Sequence, residues 1–374
     1  YSYYREFYRL GDFDGDGVTE ILVSYNGGFI LSNSYGCPMV TYSAPDNRTY
    51  MTMGDIDVDG AMEIVGFLEN GSFFVINMTE FSEERGGIAY LEPKIAYEKQ
   101  ILNSLVYGTM AIADLTDDGY EDMVITNGTY VVGFDIEDDR ILFEYQSPMK
   151  IREILIGDFL GKGVNSSIVI YGDQQLIILN NKGEEIFSDY IVTGGARIIR
   201  AFIGNFMGGD KDVVIVVTSK YTYLVNESGT YLFLSIGSTY PITGDFDGDG
   251  YLDIAFKIFS TMQIKVYRGD GTLLWSDTLS TTPMNKFTYD IFALDYDGDG
   301  ADDIVFTECN GTIKIYRGKT GAEIIRIYTN ISSYGLSVDL DRMFGSAGLT
   351  VKYANYGIYV FKETGTTLYY YPDK

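Results

Sequence analysis

Aspartates recur in this sequence at alternate positions of short, glycine-bearing segments, a pattern that can gather several carboxylate oxygens around one point. The first segment is Gly11-Asp12-Phe13-Asp14-Gly15-Asp16-Gly17-Val18-Thr19-Glu20-Ile21. GDIDVDGAMEI from Gly54, ADLTDDGYEDM from Ala113, GDFDGDGYLDI from Gly244 and LDYDGDGADDI from Leu294 repeat it. With the first aspartate as position 1, carboxylates stand at positions 1, 3 and 5, glycine at 6 and an acid at 9. Alternate side chains in a tight turn point inward together, glycine permits the turn, and the residue at 7 adds a backbone carbonyl. Such an all-oxygen cage suits Ca²⁺. The last acid falls at 9 rather than 12 and the flanks read as strands, so an EF-hand is the wrong assignment.

The predicted ligand sets follow directly. They are Asp12, Asp14, Asp16 and Glu20 with Val18, then Asp55, Asp57, Asp59 and Glu63 with Ala61. Asp245, Asp247, Asp249 and Asp253 with Tyr251 form a third, and Asp295, Asp297, Asp299 and Asp303 with Ala301 a fourth. A fifth, weaker set has Asp114, Asp118 and Asp122, with Thr116 at position 3 and Tyr120 at position 7. Four to five structural Ca²⁺ ions are therefore expected, because clustered like charges are unfavourable without a counter-ion. Three degenerate copies follow other logic. Lys162 stands at position 5 beside Asp158, where an ammonium can replace the ion, and Arg342 follows Asp339 and Asp341 in the same manner. The copy with Asn205 and Met207 is expected to be empty.

The first positions, Asp12, Asp55, Asp114, Asp158, Asn205, Asp245, Asp295 and Asp339, are spaced by 43, 59, 44, 47, 40, 50 and 44 residues. That is the length of one four-stranded propeller blade. Apolar, β-rich runs precede each loop (151–156, 198–203, 287–293) and follow it (21–25, 213–217, 304–307). A third run (73–77, 263–267, 313–316) and a glycine turn lead to a fourth (273–275, 323–328). The expected fold is all-β: a single β-propeller over residues 1–374, with four-stranded antiparallel blades. Eight blades are expected at about 1–45, 46–104, 105–149, 150–195, 196–237, 238–284, 285–332 and 333–374, or seven if the last is incomplete. Four strands at the C-terminus (336–339, 349–354, 358–361, 368–371) imply closure without a borrowed strand. The long second interval marks an insertion at 79–93, expected as a solvated loop.

Composition removes whole classes of chemistry. Histidine is absent, which excludes Ser-His-Asp and Cys-His nucleophiles and histidine-ligated metals. Lysine and arginine number 27 against 53 acids, and a net charge of −26 is the wrong sign for binding nucleic acid. Cys37 and Cys309 form no CxxC pair and are expected on opposite propeller faces, unpaired. No apolar run is long enough for a transmembrane helix. The chain opens on Tyr1 with no basic-then-apolar leader, as expected of a processed chain or excised domain.

The repeat resembles the FG-GAP/VCBS family of calcium-loop β-propellers over essentially the whole chain. Tyr107-Gly108 and Tyr334-Gly335 match its aromatic-glycine start, whereas no Gly-Ala-Pro follows the second strands, which places the resemblance nearer the VCBS variant than integrins. The resemblance implies that the metal loops are structural and that function resides on other surfaces. Asn-x-Ser/Thr sequons stand at Asn47, Asn70, Asn77, Asn127, Asn165, Asn226, Asn310 and Asn330. Chance gives about two in this composition, so glycosylation and export are expected, although Asn-Gly turns at Asn70, Asn127 and Asn310 also suit hairpins. Together these features suggest an extracellular, archaeal cell-surface glycoprotein. The expected role is non-enzymatic: adhesion or interaction with a surface protein or glycan, or self-assembly in a layer or filament. The alternative is a calcium-dependent polysaccharide lyase or a lectin.

Overall fold

The computed structural model describes residues 8–17, 20–25, 28–33, 38–43, 50–68, 70–78, 81–85, 88–91, 94–102, 109–163, 165–192, 195–237, 240–258, 261, 263–278, 291–307, 312–328, 336–341, 348–353, 357–361 and 367–371. Strands are the only regular elements among them. No helix among these residues is long and apolar enough to cross a membrane.

The described strands form eight four-stranded sheets in chain order, with sequence neighbours paired side by side except in the second, where Ser72–Asn77 pairs with Lys94–Gln100 across an intervening hairpin. In blade 6, Tyr240–Gly244, Asp253–Ile258, Gln263–Tyr267 and Leu273–Thr278 pair antiparallel in succession. Blade 7 repeats this with Ile291–Leu294, Asp303–Thr307, Thr312–Tyr316 and Glu323–Tyr328. Seven sheets carry described side chains. The eighth (Leu336–Asp341, Gly348–Tyr353, Gly357–Phe361 and Thr367–Tyr371) is described in its backbone. The all-β class with four-stranded antiparallel blades is thus observed.

Burial explains the sequence pattern of a blade. Second and third strands such as Val213–Thr218 and Leu176–Leu179 within Gln175–Asn180 are buried on both faces and read as continuous apolar runs. Fourth strands such as Glu185–Tyr190 are mostly exposed and mix polar with apolar residues. The chain divides into two compact units. Unit 1 comprises Tyr1–Gly157, Val164–Gly172 and Leu176–Ser188, and unit 2 comprises Asp158–Gly163, Asp173–Gln175 and Asp189–Lys374. Within unit 1, Phe13, Leu22, Phe29 and Leu31 of blade 1 pack on Ile64, Phe74 and Ile76 of blade 2. Blades 2 and 3 meet through Val65, Phe73 and Phe134. Within unit 2, Phe246, Ala255 and Val266 of blade 6 pack on Ile304, Phe306 and Tyr316 of blade 7. Phe13 and Phe246 thereby anchor the roots of the blade 1 and blade 6 loops by apolar contact with the neighbouring sheet.

Two expectations are corrected. The insertion after blade 2's third strand is not a plain loop: Phe81–Arg85 and Ile88–Leu91 pair as a two-stranded antiparallel hairpin, because their backbone N–H and C=O groups share a ladder. The last acidic remnant does not open a turn at Asp339. Asp339 and Asp341 lie within a strand, opposite Thr350 and Gly348, so the chain reverses further along. Val18, Cys37, Asn47, Cys309, Asn310, Asn330 and Arg342 lie outside the described residues.

Candidate metal centres

Each loop folds around its first aspartate. Asp12 accepts the backbone N–H groups of Gly15 and Gly17, both at 2.8 Å. Asp245 accepts those of Gly248, Asp249 and Gly250 at 2.8, 3.0 and 2.8 Å, and Asp295 those of Gly298, Asp299 and Gly300 at 2.8, 3.1 and 3.1 Å. Asp55 and Asp114 do the same in blades 2 and 3. The left-handed turn this requires puts position 4 at positive φ. Gly15 and Gly248 supply it without strain (φ 72° and 74°), whereas Val58 and Asp117 adopt it at 58° and 62°. The N–H of position 7 (Ala61, Tyr120, Tyr251, Ala301) caps the position 5 carboxylate at 2.9 to 3.0 Å.

The acid at position 9 begins the next strand and is buried: Glu20, Glu63, Asp122, Asp253 and Asp303 are all 2% exposed or less. It receives the N–H of position 2, as from Phe13 to Glu20 at 2.9 Å and from Ile56 to Glu63 at 2.8 Å. Burial first, with the neighbouring aspartates adding to it, pushes Glu20 up to about 8 and Glu63 and Asp253 to about 7. Burial likewise raises Asp122 and Asp303 to about 6. Asp14 and Asp57 are raised by burial and by the adjacent aspartates. Each shift reports a carboxylate that lacks a compensating positive charge.

Four groups come together with one oxygen from each member within 4.8 Å of the others: Asp12, Asp14 and Glu20; Asp55, Asp57 and Glu63; Asp245, Asp247 and Asp253; Asp295, Asp297 and Asp299. In the first three, positions 1, 3 and 9 gather and Asp16, Asp59 and Asp249 stand outside the trio. In the fourth, position 5 joins and Asp303 does not. Asp114, Asp118 and Asp122 make no such group among the described residues. Glu63 Oε1 and Asp247 Oδ1 are buried with no hydrogen-bond partner. Hard oxygens with orphaned, buried lone pairs fit a divalent cation, and an ion here would supply the missing charge.

Several partners escaped the sequence reading. Arg268 Nε donates to Asp247 Oδ2 at 2.6 Å, and Arg317 Nη2 to Asp297 Oδ2 at 2.5 Å. Asn77 stands at the corresponding place in blade 2 and donates to Asp57 Oδ2 at 3.3 Å. Gly269 and Gly318 donate their N–H to Asp253 and Asp303, both at 3.0 Å. A Cβ on Gly318 would lie 1.9 Å from the Asp302 carbonyl oxygen, so only glycine fits there. The signal was available: Arg-Gly recurs after the third strand in two of the three blades whose loops read D-x-D-G-D-G. Position 8 was also missed, where Asp302 and Asp212 accept N–H groups from the preceding blade's loop.

The degenerate loops keep the template with different chemistry. Asp158 accepts N–H groups from Lys162 and Gly163 at 2.8 and 2.7 Å. Asn205 accepts from Gly208 and donates its amide to the Gly209 carbonyl, both at 2.9 Å, so a neutral side chain closes that loop upon itself. Among sequon asparagines, Asn70, Asn127 and Asn226 accept backbone N–H groups in turns, from Ser72, Tyr130 and Ser228. Asn165 is half-buried.

Comparison with known proteins agrees with this architecture. Solved structures similar over nearly the whole chain include Saccharomyces cerevisiae Sqt1, at 12% identity over 93% of this chain and 94% of that one, with a TM-score of 0.60. The V. cholerae biofilm matrix protein Bap1 aligns at 12% identity over 93% and 84%, with a TM-score of 0.56. BamB from Moraxella catarrhalis aligns at 13% identity over 96% and 94%, with a TM-score of 0.54. At such identities the likeness defines the class, an all-β propeller, and nothing finer. Residues 245–306, which hold the blade 6 and blade 7 loops, match the family described as an FG-GAP-like repeat. No curated protein matches the sequence.

Proposed function

We propose that this chain is a calcium-stapled β-propeller that works outside the cell as a non-enzymatic interaction module, docking a surface protein, a glycan or further copies of itself in a layer or filament. The observation that carries the calcium assignment is the set of four carboxylate trios, each within 4.8 Å, two of which hold a buried oxygen, Glu63 Oε1 or Asp247 Oδ1, that no protein donor satisfies. Asp12, Asp14 and Glu20; Asp55, Asp57 and Glu63; Asp245, Asp247 and Asp253; and Asp295 and Asp297 with Asp299 would hold the ions. Bound Ca²⁺ would supply positive charge at the root of each inter-strand turn and so fix it. The Asp114 loop is proposed as the weakest site. The excess of sequons supports export, and an acidic surface of net charge −26 disfavours anionic nucleic acid.

The test has two arms. Elemental analysis of protein purified without chelator should give four to five calcium ions per chain, with melting lowered by chelator and restored by CaCl₂. Absence of bound calcium and of any chelator effect would refute the assignment. Glycan-array and surface-protein binding should then be positive in calcium, and intact-mass analysis of native material should show glycoforms. Turnover of acidic polysaccharides, abolished by a single substitution, would replace the module reading with that of an enzyme.

A further inference from the structure

Asp302 belongs to blade 7, yet its carboxylate serves the loop of blade 6. Its Oδ2 accepts the backbone N–H of Asp245 at 2.9 Å, and its own N–H donates to the Asp245 carbonyl at 2.7 Å. Asp245 is the residue around which the blade 6 loop folds, so this clasp fixes the first ligand position of that loop. The next residue, Asp303, is fully buried and faces its own loop, taking N–H groups from Tyr296 and Gly318 at 3.1 and 3.0 Å. Successive side chains of extended backbone point to opposite sides, so one dipeptide grips two loops. Room for the clasp comes from Gly244, where a Cβ would meet Asp302 Oδ2 at 2.7 Å.

The same device occurs within unit 2 between the Asp158 loop and Asp212: Asp212 Oδ2 accepts the Asp158 N–H at 2.7 Å, and the Asp212 N–H donates to the Asp158 carbonyl at 3.0 Å. Where position 8 is apolar only the backbone half exists, from Met62 to Asp12 at 2.7 Å and from Leu252 to Asn205 at 2.8 Å. Asp302 differs from Asp212 in joining two loops that each gather three carboxylates.

We propose that Asp302 is a positioning residue through which occupancy of the blade 7 loop sets the divalent-cation affinity of the blade 6 loop. The inference rests on the metal assignment above. With the blade 7 loop empty, Arg317 on Asp297 and Lys319 on Asp299 offset only part of the charge of Asp295, Asp297 and Asp299, and the remaining repulsion loosens the turn from which Asp302 projects. An ion there holds the turn, keeps Asp302 on the Asp245 N–H and so presents the first blade 6 ligand in place. The coupling is reciprocal, since each site biases the same clasp.

The experiment titrates the full chain with CaCl₂ and follows hydrogen exchange of peptides covering 244–258 and 294–307. D297N/D299N, which disables the blade 7 loop, should raise the calcium midpoint of the 244–258 peptide about tenfold. D302L should raise it similarly, and adding D297N/D299N to D302L should raise it no further. Leucine is chosen because Leu252 occupies the same position in blade 6, against Gly204. D302E should restore coupling, since Glu121 holds that position against Gly54. The proposal is overturned if D297N/D299N leaves the 244–258 midpoint unchanged, or if its effect persists in full on the D302L background. Failure of the metal assignment is read separately, in the wild-type chain, as exchange at both peptides that ignores CaCl₂.

Discussion

On the proposed metal assignment, filling the loops with Ca²⁺ should drive protons off the protein, and burial of the closing acids sets about how many. A carboxylate ligand must ionise to bind metal. In the metal-free chain burial holds Glu20 at about 8, Glu63 and Asp253 at about 7, and Asp122 and Asp303 at about 6. At pH 7, then, Glu20 is mostly protonated, Glu63 and Asp253 are half protonated, and saturation with calcium releases about two protons. From Glu20, Glu63 and Asp253, which belong to the carboxylate trios, the release rises to about three at pH 6 and falls below about one at pH 8.5. The same values set the stability profile. These folded-state values lie above the unfolded values near 4, so the folded chain holds the extra protons and its metal-free stability declines as pH rises through 6 to 8. The difference in melting temperature between calcium and chelator should therefore widen over that window. Calorimetric titration of CaCl₂ into metal-free protein, in buffers of different ionisation enthalpy, gives the proton number as a slope. E20Q should remove about one proton from the count at pH 7. A slope of zero at both pH 6 and pH 7 would refute the reasoning.

Three further outcomes follow from particular contacts. Val58 sits at φ 58° and is 54% exposed, so V58G should relieve strain without losing packing and raise stability by about 1 kcal/mol in urea denaturation. R268A leaves the Asp247 carboxylate, 8% exposed, without its guanidinium. In chelator it should lower the melting temperature, and in saturating calcium clearly less, by thermal melts under both conditions. G318A forces a Cβ into the Asp302 carbonyl and should cost about 3 kcal/mol or more, with exchange protection lost first across 295–303.

The sequence by itself determined the loops, because everything that folds one lies within nine residues: an aspartate that collects N–H groups, glycines that permit the turn, and a closing acid at the start of the next strand. It also determined the blade period, since strands buried on both faces read as apolar runs between those loops. Even the Arg-Gly pairs were visible as letters, without a reason to join them to the acids. What touches a loop from outside was decided by tertiary structure alone. Arg317 meets Asp297 only because the turn after the third strand folds back over the loop, 20 residues away. Asp302 meets Asp245 across 57 residues only because one sheet packs on the next at a definite register. The insertion after Asn77 became a hairpin for a similar reason, by pairing two segments whose individual composition named no partner. Local chemistry is written in adjacent residues. The choice of neighbour is set by the packing of whole sheets, which spacing along the chain does not encode.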